Sequence, residues 1–164
     1  MKPQLSVISD SNDAFLNSII KCIVGIECSN LFSTHLEKSQ PDQRKLVGEF
    51  QSLTESTLKN SIEGIDWYKE HCPNPSIRDS IDIFGKSADS GFVVVIEIDK
   101  TRADQVAKKF VSRMALFPST KVYFVSLCYP GTPNMNKPEC LKYFGYCKAL
   151  ALRMGSHYAG LIVE

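Results

Sequence analysis

Residues Ser80 to Lys100 read SIDIFGKSADSGFVVVIEIDK: a short apolar run carrying Asp82, a turn-rich connection, and a long β-branched run ending in Glu97, Ile98, Asp99 and Lys100. The pattern predicts two strands joined by a hairpin over Gly85 to Gly91. The second strand, Phe92 to Asp99, is apolar on both faces and therefore central in a sheet. Side chains alternate along a strand, so Glu97 and Asp99 share a face with Val93 and Val95, while Lys100 takes the other. Antiparallel pairing through the hairpin sets Asp82 beside the Glu97 end. Three carboxylates then meet, and an unpaired carboxylate withdrawn from water costs several kcal/mol or changes its protonation.

A cation between the three acids resolves that cost, and oxygen-only ligands select magnesium or manganese over zinc. Such an ion activates water and neutralises charge on a phosphate, which points to phosphodiester hydrolysis. A plainer alternative pairs Asp82 with Arg78 or Lys86 and lets Asp99 end its strand near Lys100 and Arg102.

Downstream, Thr101 can cap a helix from Arg102 to about Phe117, with Val106, Phe110, Met114 and Phe117 inward and Asp104, Lys108, Ser112 and Arg113 outward. Lys121 to Tyr129, KVYFVSLCY, is a further strand. Strand, helix and strand in this succession predict a right-handed parallel crossover. The loop Pro130 to Pro138 is long enough to be a functional loop. Pro138 opens a last helix through Met154, Gly155 closes it as a left-handed cap, and His157 to Val163 is a final strand.

Upstream, Ile77 to Phe84 is preceded by a turn over Cys72 to Ser76 and a strand over Ile65 to His71. Before these, Pro41 fits the first turn of a helix carrying Leu46, Phe50, Leu53, Leu58 and Ile62, with a break near Ser52. Asn12 to Leu36 fits one amphipathic helix or two short ones. The expected architecture is α/β: a central mixed sheet, a three-strand meander followed by a parallel crossover, flanked by helices on both faces. The 164 residues, 43% of them hydrophobic, suit one domain, an N-terminal helical region over 1–40 followed by the core over 42–164.

Nineteen basic and 18 acidic residues give a net charge of +1, so any electrostatic footprint is local. The densest basic run is Lys100, Arg102, Lys108, Lys109 and Arg113. Trp67 and Tyr68 can stack on bases, though such a pair more often packs a core or a rim. Six cysteines without a C-x-x-C pair read as reduced thiols of a cytoplasmic protein. Residues 14–26 are too short to span a bilayer and no leader pattern is seen, so neither secretion nor a membrane partner is expected.

The order helix, meander, helix, strand, with Asp82 on one strand and Glu97-Ile98-Asp99 on the next, resembles the PD-(D/E)-x-K nuclease superfamily over about Asp42 to Tyr129. The resemblance implies a restriction-endonuclease-like fold and a magnesium- or manganese-dependent endonuclease acting on DNA, compatible with a homodimer. It implies that Asp82 and Glu97 hold the metal, helped by a glutamate of the preceding helix, Glu49 first and Glu55 second. It assigns catalysis to Asp82, Glu97, Asp99 and Lys100, and nucleic-acid contacts to Arg102, Gln105, Lys108 and Lys109.

Two positions depart from the family pattern. Ile81 replaces the proline before the aspartate, and Asp99 stands where a lysine follows Glu97 by two. Lys100 is one position late and on the opposite strand face; Lys86 and Lys108 are other sources of a cation. Two alternatives follow from the missing lysine, the near-zero charge and the short chain: a catalytically silent binding or structural module of the same fold, or a subunit active only in a larger assembly. An active site requires acids open to solvent, whereas a silent module pairs them internally.

Overall fold

The computed structural model describes residues 1–74, 76, 79–89, 91–129 and 132–164, with the backbone alone at 36. The expected strand start at Ile77, the pairing of Asp82 with Arg78, and parts of the turns and loop at Pro75, Ser90, Pro130 and Gly131 lie outside the described residues.

The chain runs β1 (Pro3–Ile8), α1 (Ala14–Val24), α2 (Ser29–Phe32), a single 3₁₀ turn at His35–Glu37, α3 (Gln40–Ser61), β2 (Ile65–His71), β3 (Ile81–Ser87), β4 (Phe92–Asp99), α4 (Asp104–Met114), β5 (Lys121–Cys128), α5 (Lys137–Arg153) and β6 (His157–Val163). The strands form one open six-stranded mixed sheet in the order β1-β6-β5-β4-β3-β2. β4 is its hinge of direction, antiparallel to β3 and parallel to β5. β5 and β6 continue in parallel, while β1 and β2 form antiparallel edges.

Helix starts follow local chemistry. Asp13 accepts from the Leu16 amide at 2.7 Å ahead of α1, and Asn136 accepts from the Glu139 amide at 3.0 Å ahead of α5. Both satisfy amides that a helix N-terminus otherwise leaves open. Pro41 and Pro138 occupy the first turns of α3 and α5, where no amide hydrogen is needed. Gly155, at φ +65, ends the α5 region in the left-handed conformation expected of it.

Two apolar layers sandwich the sheet. On one side α1, α2 and α3 bring Leu16, Ile19, Ile23, Phe32, Phe50 and Leu58 onto Val94, Ile96, Ile98, Val125 and Leu127. On the other, α4 and α5 bring Val106, Phe110, Phe144 and Cys147 onto Val93, Val95 and Phe124. The alternation of β4 thus feeds both layers, as a strand buried on both faces must. Among the described residues no helix is long and apolar enough to cross a membrane.

Four expectations are corrected. Residues 1–40 are not wholly helical: Pro3–Ile8 forms β1, whose short, mixed polarity suits an edge, with Pro3 as its first residue, where a missing amide is tolerated. α3 runs unbroken through Ser52, whose hydroxyl bonds back to the Gly48 carbonyl at 2.8 Å. Thr101 does not cap α4; Ala103 stands at the N-cap, and the Thr101 carbonyl instead accepts from the Thr132 hydroxyl at 2.6 Å. Arg113, expected outward, is 7% exposed.

Candidate active site

Register brings the acids together. Ile83 lies opposite Ile96 in the β3–β4 pair, so Asp82 stands across from Glu97. The Asp82 side chain reaches over and accepts from the Ile98 amide through Oδ2 at 2.7 Å. Its backbone carbonyl is held from the other side of the sheet by the Gln51 amide group on α3, which also donates to Glu70 Oε1 at 2.9 Å.

The cation is Lys109. Its Nζ lies 2.9 Å from Glu97 Oε2, 3.1 Å from Asp99 Oδ1 and 3.3 Å from Asp82 Oδ2, and it donates to the Ile98 carbonyl at 3.3 Å. One turn on, Arg113 projects from the same face of α4. Its Nε donates to Glu97 Oε1 at 2.7 Å, one terminal nitrogen donates to the Ser80 carbonyl at 2.7 Å, and the other lies 3.1 Å from the exposed Asp79 carboxylate. Val106, Phe110 and Met114, buried around these two residues, fix the rotation of α4 that aims them at the sheet.

Three carboxylates therefore face two cations, and two of the three are nearly sealed: Glu97 is 1% exposed and Asp99 5%. Burial pushes the Glu97 carboxyl up to about 7, with Lys109 and Arg113 pulling it down and Asp82 adding to the rise. Burial likewise raises Asp99. For Lys109 burial works against the charge, but Asp99, Glu97 and Asp82 outweigh it and hold the ammonium well above the ordinary lysine range. Lys109 is thus the fixed charge of the cluster, and burial favours the protonated form of both Glu97 and Asp99.

The four atoms that approach that ammonium within 3.3 Å among the described residues are all oxygen, which marks the point as suited to a hard cation. Asp99 Oδ2 is buried with no hydrogen-bond partner among the described residues, and Glu97 Oε2 has the ammonium nearby but no aligned donor. The spacing is that of an ammonium, wider than the roughly 2.1 Å that magnesium requires. Accordingly, no three His, Cys, Asp or Glu side chains among the described residues stand as a ready metal cage. In donor chemistry the acids fit a divalent ion; in position they are arranged around Lys109.

Of the expected site residues, Asp82, Glu97, Asp99 and Lys109 come together. Lys100 does not: it is half-buried and forms no ion pair with the three acids, because β4 stays regular to its end and keeps residue 100 off their face. Glu49 is exposed on α3 and lines a shallow groove with Lys38, Asp42, Lys45 and Leu46, while the face of α3 that meets β3 presents Gln51 instead. Glu55 is half-buried and has no contact with the cluster. Lys86 is exposed and does not pair with Asp82. Lys108 is exposed, Gln105 is half-buried, and Arg102 is held in a two-pronged pair with Asp104 at 2.9 and 2.7 Å.

Arg113 and Gln51 were not expected in the site. Spacing held a signal for Arg113, which follows Lys109 by four and so shares its face. Nothing in the sequence singled out Gln51. No family model matches the chain, and neither a curated protein nor a solved structure matches it.

Proposed function

We infer that the chain is a restriction-endonuclease-like, divalent-metal-dependent nuclease that hydrolyses phosphodiester bonds in DNA. The observation that carries this is the convergence of Asp82, Glu97 and Asp99 on one cation point at the end of β4, where four oxygens surround Lys109 Nζ within 3.3 Å. The order α3, β2–β3–β4, α4, β5 is the order on which the resemblance to the PD-(D/E)-x-K superfamily rests, and it adds support.

Asp82 and Glu97 would hold magnesium or manganese. Held there, such an ion would supply charge for the phosphate and lower the pKa of a water toward neutrality. The chain's own residues do the rest. The Ile98 amide and Gln51 fix Asp82 from its carboxylate and its carbonyl, and Arg113 fixes the Glu97 carboxylate. Lys109 would fill the cationic role that Asp99 leaves open, reaching the acids from α4 rather than from β4, and with an ion held by the carboxylates its ammonium could bond a phosphate oxygen. The exposed Lys108 and Arg102 then contact the backbone from the outer side of the helix. A cytoplasmic location fits six free thiols, and a homodimer would supply one site per DNA strand.

A second reading, a silent module of the same fold, is favoured by a different observation: Lys109 and Arg113 already pair the acids internally, and Glu97 and Asp99 are sealed rather than open to solvent as an active site requires. One assay separates the two. Plasmid, single-stranded DNA and RNA are incubated with magnesium or manganese and the wild-type protein, Asp82→Ala or Glu97→Ala. Cleavage of DNA by the wild type alone is expected. No cleavage by the wild type, with a melting temperature indifferent to millimolar manganese, assigns the silent module.

A further inference from the structure

Beside the acids, on the same face of β3 as Asp82, lies a ladder of aromatic rings. His71 stacks on Phe84 with centroids 4.3 Å apart and planes within 10°. Phe84 stacks on Phe117 at 5.7 Å and 12°. Tyr68 leans on both His71 and Phe84, at 5.5 and 6.4 Å. Elsewhere in the core, ring pairs such as Phe32 with Phe50 and Phe110 with Phe124 meet at steep angles of 78° and 63°. Near-parallel stacks also occur at Tyr123–His157 and Phe124–Tyr158; this one is set apart by opening outward, since Phe84 is 4% exposed whereas Tyr68 at the edge is 45% exposed.

Strand geometry alone would not build this ladder. Tyr68 and His71 are three apart on β2 and would point to opposite faces of a regular strand. Between them Glu70 has φ +47, the one non-glycine residue with positive φ among the described residues. Such a conformation persists where surrounding contacts hold it. Here Gln51 and Ser80 both donate to the Glu70 carboxylate, at 2.9 and 3.0 Å. The same Gln51 holds the Asp82 carbonyl, so one α3 side chain ties the ladder to the acids. Burial pushes the His71 imidazole below its usual range, which leaves a neutral ring at neutral pH.

We propose that the Tyr68–His71–Phe84 ladder is a stacking platform for an unpaired base of single-stranded or frayed DNA. A near-parallel His71–Phe84 stack that ends in the exposed Tyr68 ring, tilted 33° to 37° against it, suits a nucleobase, whose π face stacks on aromatics whatever its identity. Phe84 is two residues from Asp82, about 7 Å along the strand, so a base on the platform places a nearby phosphate at the acids. Exposed Lys86, two residues beyond Phe84 on the same face, offers a backbone contact on the far side. The occupant rests on the nuclease inference, and the substrate class it adds is DNA with unpaired nucleotides next to the cut.

The test is fluorescence anisotropy in EDTA, so that nothing is cut, with labelled oligo(dT), an abasic strand of equal length and a duplex. The wild type is expected to favour oligo(dT) over both. Tyr68→Ala, at an exposed edge position, weakens oligo(dT) about tenfold and leaves the abasic strand unchanged; Tyr68→Phe behaves as wild type. His71→Ala gives a second loss. Equal binding of oligo(dT) by wild type and Tyr68→Ala, or equal binding of oligo(dT) and the abasic strand by the wild type, overturns the platform. Metal-dependent cleavage is read separately. Base-dependent binding without cleavage removes the nuclease inference and keeps the platform, whereas cleavage of single-stranded DNA unchanged in Tyr68→Ala removes the platform alone.

Discussion

Two polar clusters sit at opposite ends of the same parallel strands, and they solve the problem of a buried carboxylate differently. At the start of β5 and β6, Asp13 uses both oxygens: one accepts from the Leu16 amide at 2.7 Å, the other takes the Tyr123 hydroxyl at 3.2 Å and lies 3.3 Å from His157 Nε2. Tyr123 and His157 stack on each other at 4.9 Å. A single carboxylate there joins a helix N-terminus to two strands. At the end of β4, three carboxylates share Lys109 and Arg113, and Asp99 Oδ2 has no donor among the described residues. A fold that needs only to be tied together is served by the first arrangement. The second gathers three carboxylates on two cations with two of the acids nearly sealed, and strongly perturbed charges of this kind mark the cluster as a functional-site candidate.

The sharpest way to break this contrast is to remove Lys109. Lys109→Met leaves Glu97 to Arg113, Asp82 to the Ile98 amide and the sealed Asp99 without its ammonium, and removing one side of a buried pair costs about 3–5 kcal/mol. Urea unfolding in EDTA measures it. If the point between the acids suits a hard ion, manganese should raise the melting temperature of Lys109→Met more than that of the wild type, since the ion no longer displaces an ammonium. A variant as stable as wild type in EDTA would show that the acids are not held ionised by Lys109, and the account of the cluster as three carboxylates gathered on two cations would fail.

The distinction between the two clusters was only half legible in the sequence. Asp82, Glu97 and Asp99 could be placed together because strand alternation and hairpin register are short-range rules, and the stretch from Ser80 to Lys100 obeys both. Lys109 was readable as a basic helix residue, but its aim depends on the rotation of α4 set by Val106, Phe110 and Met114 against β4 and β5. That is a tertiary property, and it is why Lys100, nearer in sequence, was expected in its place. Glu49 failed for the same reason: α3 turns Gln51 toward β3 and Glu49 to solvent. β1 was missed because a short edge strand of mixed polarity carries almost no periodic signal, and its pairing with β6 spans nearly the whole chain. The Asp13 cluster joins residues more than a hundred positions apart, and no local pattern announces it.

Titration gives a smaller effect of opposite sense to the usual carboxylate. Burial raises Glu97 from its ordinary 4.5 to about 7, so between those values the folded protein binds more protons than the unfolded chain. Its contribution to stability is complete below about pH 4.5 and is lost as pH rises toward 7. Asp99 is shifted in the same direction. His71, lowered by burial, opposes them, because its folded form resists the proton. The measurement is therefore a difference: unfolding free energy at pH 5 and pH 7.5 in EDTA for wild type and Glu97→Gln. The wild type should lose ~2 kcal/mol more than the variant over that interval. Equal pH dependence in the two proteins would mean that Glu97 is ionised throughout by its two cations.

The smallest effect belongs to the other cluster and sets the baseline for the first. Asp13→Ala removes the cap of α1 and the partner of Tyr123 and His157, and loss of an N-cap costs ~1 kcal/mol. Asp13→Asn keeps an oxygen for the Leu16 amide and should recover most of that stability, because its amide can still meet the Tyr123 hydroxyl. Neither variant should change DNA cleavage or oligo(dT) binding, since Asp13 stands at the far end of β5 from the acids. A cut rate that fell with Asp13→Ala while its melting temperature stayed near wild type would couple the two ends of the sheet. The division between a cluster that ties the fold and a cluster proposed for chemistry would then have to be abandoned.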